Sequence, residues 1–309
     1  MNLKSRSTAI VLTGLLTAAL TGCGSSDDTA PVASDPQPSA PASTDDGSEA
    51  ASTDPEPSEP AATDTDGGSA DTVAAPIYFV GDSPTGPRLY REFRQVESDN
   101  PLEEAAALLV AGDTLDPDYY TLLPSLDIAS IETTDGAIVV TLGGDSPTAD
   151  KATSRSDAKL AVQSLVYTLQ GTAQTRDPVM VRQGDQPVAL LGQPTDTGVE
   201  AADQLTVLSL VSVTTPESDA QVSGTITASG VASSFEANVV WEIRDDSDAV
   251  VLDGFATAEG FMDKLYPWET EIDLASLAPG DYTFAALTDD ASGGEGPGAY
   301  EDTKAITVD

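Results

Sequence analysis

The sequence predicts a multi-domain fold: an α+β domain over residues 76–204 and an all-β sandwich over 205–309, preceded by a signal peptide (1–22) and a disordered linker (23–75). Three observations carry this. Residues 24–75 hold seven prolines, twelve acidic side chains, no basic residue and no aromatic ring, a composition that cannot bury a core. Residues 76–204 mix helical and strand periodicity. Residues 205–309 read as seven short segments at turn-separated spacing, the pattern of a sandwich.

The first element is the signal peptide. Lys4 and Arg6 form a short positive region, and Ala9 to Ala19 is apolar apart from Thr13, Gly14 and Thr17. That run is too short for an ordinary spanning helix and has the proportions of a signal-peptide core. It ends in Leu20-Thr21-Gly22-Cys23, which resembles the bacterial lipobox. The resemblance implies a lipid on the Cys23 thiol and cleavage before it, with the membrane as partner and the extracytoplasmic face as location. Two acyl chains suffice for stable anchoring, each buried methylene contributing about 0.8 kcal/mol. The alternative is a secretory signal with an incidental cysteine, which would release the protein.

The linker follows, spanning about 40 Å as a coil and about 160 Å if extended, with self-repulsion favouring the longer form. It is either a stalk or a spacer of untuned length. The whole chain carries a formal net charge of −39, which disfavours nucleic acid and anionic headgroups as partners. There is one cysteine and no histidine. Histidine catalysis, Ser-His-Asp and Cys-His triads, His/Cys zinc sites and an intrachain disulfide are therefore excluded.

In the middle domain, Pro76 to Val80 reads as a strand ending at Gly81-Asp82-Ser83-Pro84, with a second extended segment from Arg88 to Val96. Pro101 opens a helix whose Leu102, Ala105, Ala106 and Leu109 share one face up to Gly112. Strands 128–131 and 137–142 flank the hairpin turn Asp135-Gly136. A second helix, capped by Ser156 or Asp157, carries Ala158, Val162, Leu165 and Leu169 and is expected to stop at Gly171. Strands 179–181 and 188–191 close the domain around Gly184-Asp185. Arg88, Arg91 and Arg94 are its basic concentration; on a strand, 88 and 94 share a face and 91 takes the other. They read either as a dock for an acidic protein or wall polymer, or as charge balance for neighbouring acids.

This order, with Pro76-Ile77-Tyr78-Phe79, Leu123-Pro124, Leu165-Val166-Tyr167-Thr168-Leu169 and a closing hairpin, resembles the sporulation and germination (GerMN) domain over about 76–193. Gly184-Asp185-Gln186 departs from the short Asp-Gly turn of that family. The resemblance implies an envelope-associated, non-enzymatic module that mediates self-assembly or contacts with other molecules.

The carboxy-terminal runs are 205–214, 222–228, 235–244, 249–257, 267–274, 281–288 and 303–308. In the third, Phe235, Ala237, Val239, Trp241 and Ile243 alternate onto one face, which puts Trp241 in the core. Leu277-Ala278-Pro279-Gly280-Asp281-Tyr282 fits a corner tyrosine whose hydroxyl bonds back to the backbone, as in immunoglobulin-like folds. Pro216 before Val222, Gly230 to Asn238, and Asp290-Ala291-Ser292-Gly293-Gly294-Glu295 resemble the immunoglobulin-like domain of bacterial spore germination. The glycine-rich stretch 289–302 departs from it and is expected to form a loop.

Asp245-Asp246 and Asp289-Asp290 invite a calcium or glycosidase reading, but no EF-hand spacing is present and both pairs fall in predicted turns. Trp268, after Pro267, reads as a carbohydrate-stacking ring or as a sandwich-edge core residue. The expectation is a non-enzymatic, cofactor-free envelope protein whose two domains bind a protein or wall-polymer partner. The alternatives are a solute- or sugar-binding lipoprotein, with or without calcium, and an acidic-residue hydrolase.

Overall fold

The computed structural model describes residues 71–309 apart from 150, 152 and 291–293. Cys23, the signal peptide and the linker up to residue 70 lie outside the described residues.

The chain enters on β1 (Thr72–Gly81), antiparallel to β2 (Arg88–Glu97) with Phe79 opposite Tyr90. The first strand thus begins four residues before Pro76. Ala75, Ile77 and Phe79 alternate onto the buried face, the period-two pattern that fixes register. Gly81 is required at the turn because a Cβ there would lie 2.8 Å from the Tyr90 ring. α1 (Pro101–Ala111) starts on its proline, buries Ala105, Ala106 and Leu109, and ends on Gly112 at φ 65°, as a left-handed cap allows.

β3 (Ile128–Thr134) and β4 (Ala137–Leu142) pair across Asp135-Gly136, and β5 (Val179–Gln183) lies parallel to β4, with β6 (Gln186–Pro187) at the edge. α2 (Arg155–Ala173) packs on β1 and α1. Its cap is Ser154, whose hydroxyl accepts the Asp157 N–H at 3.0 Å, rather than Ser156 or Asp157. The helix also runs past the expected stop at Gly171. That glycine serves close packing, since a Cβ would meet Pro76 at 2.7 Å, and the left-handed cap falls on Gln174. The expected strand 188–191 is replaced by a single bridge from Leu190 to Gln193. Thr195 takes over the pairing there: its hydroxyl accepts from Val181 N and lies 2.6 Å from Val188 O.

A helical turn, α3 (Gln204–Val207), opens the expected strand 205–214, because the Asp203 carboxylate caps Leu205 N at 2.9 Å. The strand itself is β7 (Val211–Thr215). Then follow β8 (Ala220–Val222), β9 (Thr225–Ala232), β10 (Asn238–Arg244), β11 (Val250–Thr257), β12 (Tyr266–Asp273), β13 (Gly280–Thr288) and β14 (Glu301–Val308). They form a five-stranded sheet, β11-β10-β13-β14-β8, and a three-stranded sheet, β12-β9-β7. Val239, Trp241, Ile243, Phe284 and Ile272 belong to one core between them. Each large side chain buried there contributes about 1.5–3 kcal/mol.

Two expectations change in this domain. Residues 235–237 form a 3-10 turn with Glu236 and Ala237 at positive φ, so Phe235 leaves the inward phase and is 49% exposed. Trp268 is 3% exposed and belongs to the core; the carbohydrate-stacking reading fails because its ring fills the space beside Gly230. Tyr282 does donate back to Ala278 O, at 2.9 Å.

Candidate functional site at the domain interface

Five consecutive residues, Tyr300 and the first four of β14, reach the α+β domain. Tyr300 Oη meets Thr85 Oγ1 at 2.6 Å, Glu301 O accepts from Tyr90 Oη at 3.4 Å, and Tyr119 Oη donates to Asp302 Oδ1 at 2.6 Å. Thr303 Oγ1 donates to Asp118 at 3.1 Å, and Lys304 Nζ donates to Asp116 Oδ2 at 2.5 Å. The placement follows from the sheet. Asp302 pairs with Ala286 and Lys304 with Phe284, which in turn pair with Trp241 and Ile243, so the two charges share the core-facing side of β14.

The result is a buried ionic cluster. Lys304, Asp302 and Asp116 are only 4%, 3% and 2% exposed. Lys304 Nζ also donates to Asp302 Oδ1 at 2.8 Å and to Tyr119 Oη at 2.7 Å, and it stands 4.4 Å from the centre of the Tyr119 ring. Asp302 Oδ2 accepts Val213 N at 2.6 Å, so it also ties the two sheets together. Asp116 Oδ1 accepts Asp118 N at 2.9 Å. Buried Glu92 stands behind, accepting Leu115 N and Asp116 N. Tyr90 stacks on Tyr119 with centroids 5.0 Å apart.

Such a cluster is held only because nearly every lone pair and proton finds a counterpart. Burial raises the Glu92 and Asp302 carboxyls above their usual range. Burial alone would lower the Lys304 ammonium, but Asp302 and Asp116 more than offset this and hold it above the usual lysine value. Burial, followed by the charges of Asp302 and Asp116, pushes the Tyr119 phenol far up.

The arginines divide as follows. Arg94 pairs with Asp113 at 3.2 Å, which is charge balance. Arg88 donates to Leu205 O at 2.8 Å and lies 5.8 Å from the Tyr300 ring centre. Arg91 donates to Thr214 Oγ1 at 3.0 Å. Two of the three therefore contact the segment beyond residue 204. The bridge from Leu89 to Leu208 and the bond from Ser209 N to Leu89 O extend the same contact along β2.

Asp245 closes its turn, with Oδ1 accepting Ser247 N, Ser247 Oγ and Ala249 N, bonds that hold its carboxyl below the usual range. Asp290 Oδ2 accepts Gly294 N at 3.0 Å. Among the described residues no group of three or more Asp, Glu, Cys or His side chains is placed to hold a metal ion, and no helix is long and apolar enough to cross a membrane. A groove of about 540 Å³ opens between the 83–87 turn, the start of α2 and residues 193–207, lined by Thr85, Pro87, Asp157, Leu160, Gln163 and Val207. The sequence reading missed the interface cluster. One signal was available: Asp302 and Lys304 are in period-two phase with Ile306 and Val308, which the same reading placed in a strand.

Residues 76–189 match the family model described as sporulation and spore germination, and residues 210–295 match that of the immunoglobulin-like domain of bacterial spore germination. No curated protein matches the chain. Among solved structures, the tandem GerMN domains of the sporulation protein GerM from Bacillus subtilis align at 14% identity over 67% of this chain, with a TM-score of 0.33. The chain spans 63% of that structure's length. CopC from Methylosinus trichosporium aligns at 20% identity over 32% of this chain and 93% of its own, with a TM-score of 0.22. The chain thus carries a sporulation and spore germination domain followed by an immunoglobulin-like domain of bacterial spore germination.

Proposed function

We propose that this chain is a lipid-anchored, non-catalytic envelope protein in which the two domains act as one body that binds an envelope protein or a wall polymer. Cys23, in Leu20-Thr21-Gly22-Cys23, is the lipidated residue, and the acidic segment after it sets the distance from the membrane. The observation that carries the one-body reading is the run Tyr300 to Lys304, in which each residue contacts the α+β domain. Opening this contact would break the bonds of Tyr300 to Lys304 together and part Lys304 from Asp116 and Tyr119, so the domains favour a fixed display over a hinge. The groove between the 83–87 turn and α2 offers an apolar-lined surface beside that junction.

The anchor is tested by Cys23→Ala in the intact chain. The expected outcome is loss of labelling by radioactive palmitate, with release of the protein or retention of an uncleaved precursor. Unchanged labelling refutes the anchor. Cross-linking in intact cells followed by mass spectrometry tests the binding role. Turnover of a wall fragment that is abolished by a single Asp→Asn change would overturn the non-catalytic reading.

A further inference from the structure

The Lys304 cluster holds more chemistry than a structural ion pair requires. An ammonium and a carboxylate stand 2.5 Å apart on two domains, 188 residues apart in sequence, and both are almost fully buried. A second carboxylate, Asp302, lies 2.8 Å from the same nitrogen. Each group has a different second set of bonds. Asp302 is fixed by Val213 N and Tyr119 Oη. Asp116 keeps Oδ1 on the Asp118 amide and turns Oδ2 to the lysine.

We propose that Lys304 and Asp116 are the two ends of an intramolecular isopeptide cross-link that joins the immunoglobulin-like domain to the α+β domain. The step is a condensation. Lys304 Nζ attacks Asp116 Cγ, which lies at most one C–O bond beyond the oxygen that Nζ already touches. Two of the three ammonium protons end on Oδ2, which leaves as water; the third stays on the amide nitrogen. The ammonium and carboxylate thus become a neutral amide and one water, with no oxidant, reductant or cofactor consumed.

Each neighbour has a part in this step. Asp302, within hydrogen-bond reach of Nζ, carries protons from nitrogen to the leaving oxygen. Its carboxyl is held above the usual range by burial, which favours its taking up a proton from the lysine. The Asp118 N–H already points at Oδ1, where negative charge develops as the tetrahedral intermediate forms. That same bond is kept by the amide oxygen in the product. Tyr119 holds both Nζ and Asp302 in place. Two domains folded around the pair supply the proximity that an intermolecular condensation lacks, and a dry site favours collapse of an ion pair into neutral forms. With a single cysteine in the chain, no disulfide can make this connection.

Asp116, not Asp302, is the acceptor. Its oxygen is nearer to Nζ, and Asp302 is committed beyond the lysine to Tyr119 through Oδ1 and to Val213 N through Oδ2.

The test uses the full-length chain, purified in detergent, digested with trypsin under denaturing conditions and mapped by tandem mass spectrometry. If the link forms, trypsin no longer cuts after Lys304, and residues 95–151 are joined to residues 265–309 at the summed mass less one water. Lys304→Arg abolishes that species. In Asp302→Ala its yield falls at least tenfold, while the unlinked peptides appear in its place. Full recovery of the unlinked Asp116 and Lys304 peptides from the wild-type chain overturns the proposal. A link mapped to Asp302 or Glu92 overturns the assignment of Asp116. Both decisive readings are made on the wild-type protein, so a variant that fails to fold does not blunt the test.

Discussion

Two basic residues of the same sheet face their acids in different solvents. Lys304 on β14 meets Asp116 and Asp302 with 4% of its side chain exposed, and Arg244 on β10 meets Glu242, Glu301 and Asp248 with 16% exposed beside acids that are more open still. Arg244 has the larger number of carboxylates. Removing Lys304 nevertheless costs more than removing Arg244, because water and salt screen the acids left around the arginine, while those of the lysine cluster have only its own members to neutralise them. Burial, rather than the count of opposite charges, decides what an ion pair is worth. Glu301 and Asp302 show the same rule one residue apart: the first turns outward to Arg244, the second inward to Lys304.

The sharpest break of this contrast is Lys304→Ala. It leaves Asp116 and Asp302 facing each other with no cation, and the expected loss is about 3–5 kcal/mol in urea unfolding, or failure to fold. The loss is large whether the wild-type contact is ionic or covalent. A loss under about 1 kcal/mol would mean that the cluster is open to water.

A pH scan gives the next largest effect. Burial holds the Tyr119 phenol far above its usual value and pushes the Tyr167 phenol up to about 12. In each case the folded state keeps a proton that the unfolded chain releases near pH 10. Their stabilisation is therefore complete below about pH 10 and is lost as pH rises through the folded values. Each group contributes at most about 1.4 kcal/mol per pH unit to that slope. Urea midpoints at pH 9, 10 and 11 should fall steadily; a flat profile would show that these groups stay wet. The smallest change is expected from Arg244→Ala, at most about 1 kcal/mol and less in high salt. A larger loss would erase the contrast between the two sites.

What the sequence made legible follows from local chemistry. The Asp135-Gly136 turn, the Pro101 start, the Tyr282 corner and Trp241 in the core each rest on residues within a few positions of one another. The failures share a different cause. Gly171 looks like a helix stop until Pro76, 95 positions earlier, is known to press on it. Phe235 fits an alternation that the 3-10 turn over residues 235–237 interrupts. The burial of Lys304 and Asp302 could not be read from their own strand, because Asp116 and Tyr119, which make it tolerable, come from another domain. A charge in phase with Ile306 and Val308 was the visible part; its counterpart was not.

The position of Tyr300 to Lys304 along the chain has a further consequence for how the protein is made. The chain emerges amino terminus first, and a domain folds as its sequence emerges. The α+β domain is complete by residue 204, yet Tyr90, Asp116 and Tyr119 wait for residues synthesised about a hundred positions later. Until then, half of a polar junction stands open on an otherwise finished domain. Biogenesis therefore contains an interval in which that half-built face must be kept from other chains, and it ends only when β14 arrives.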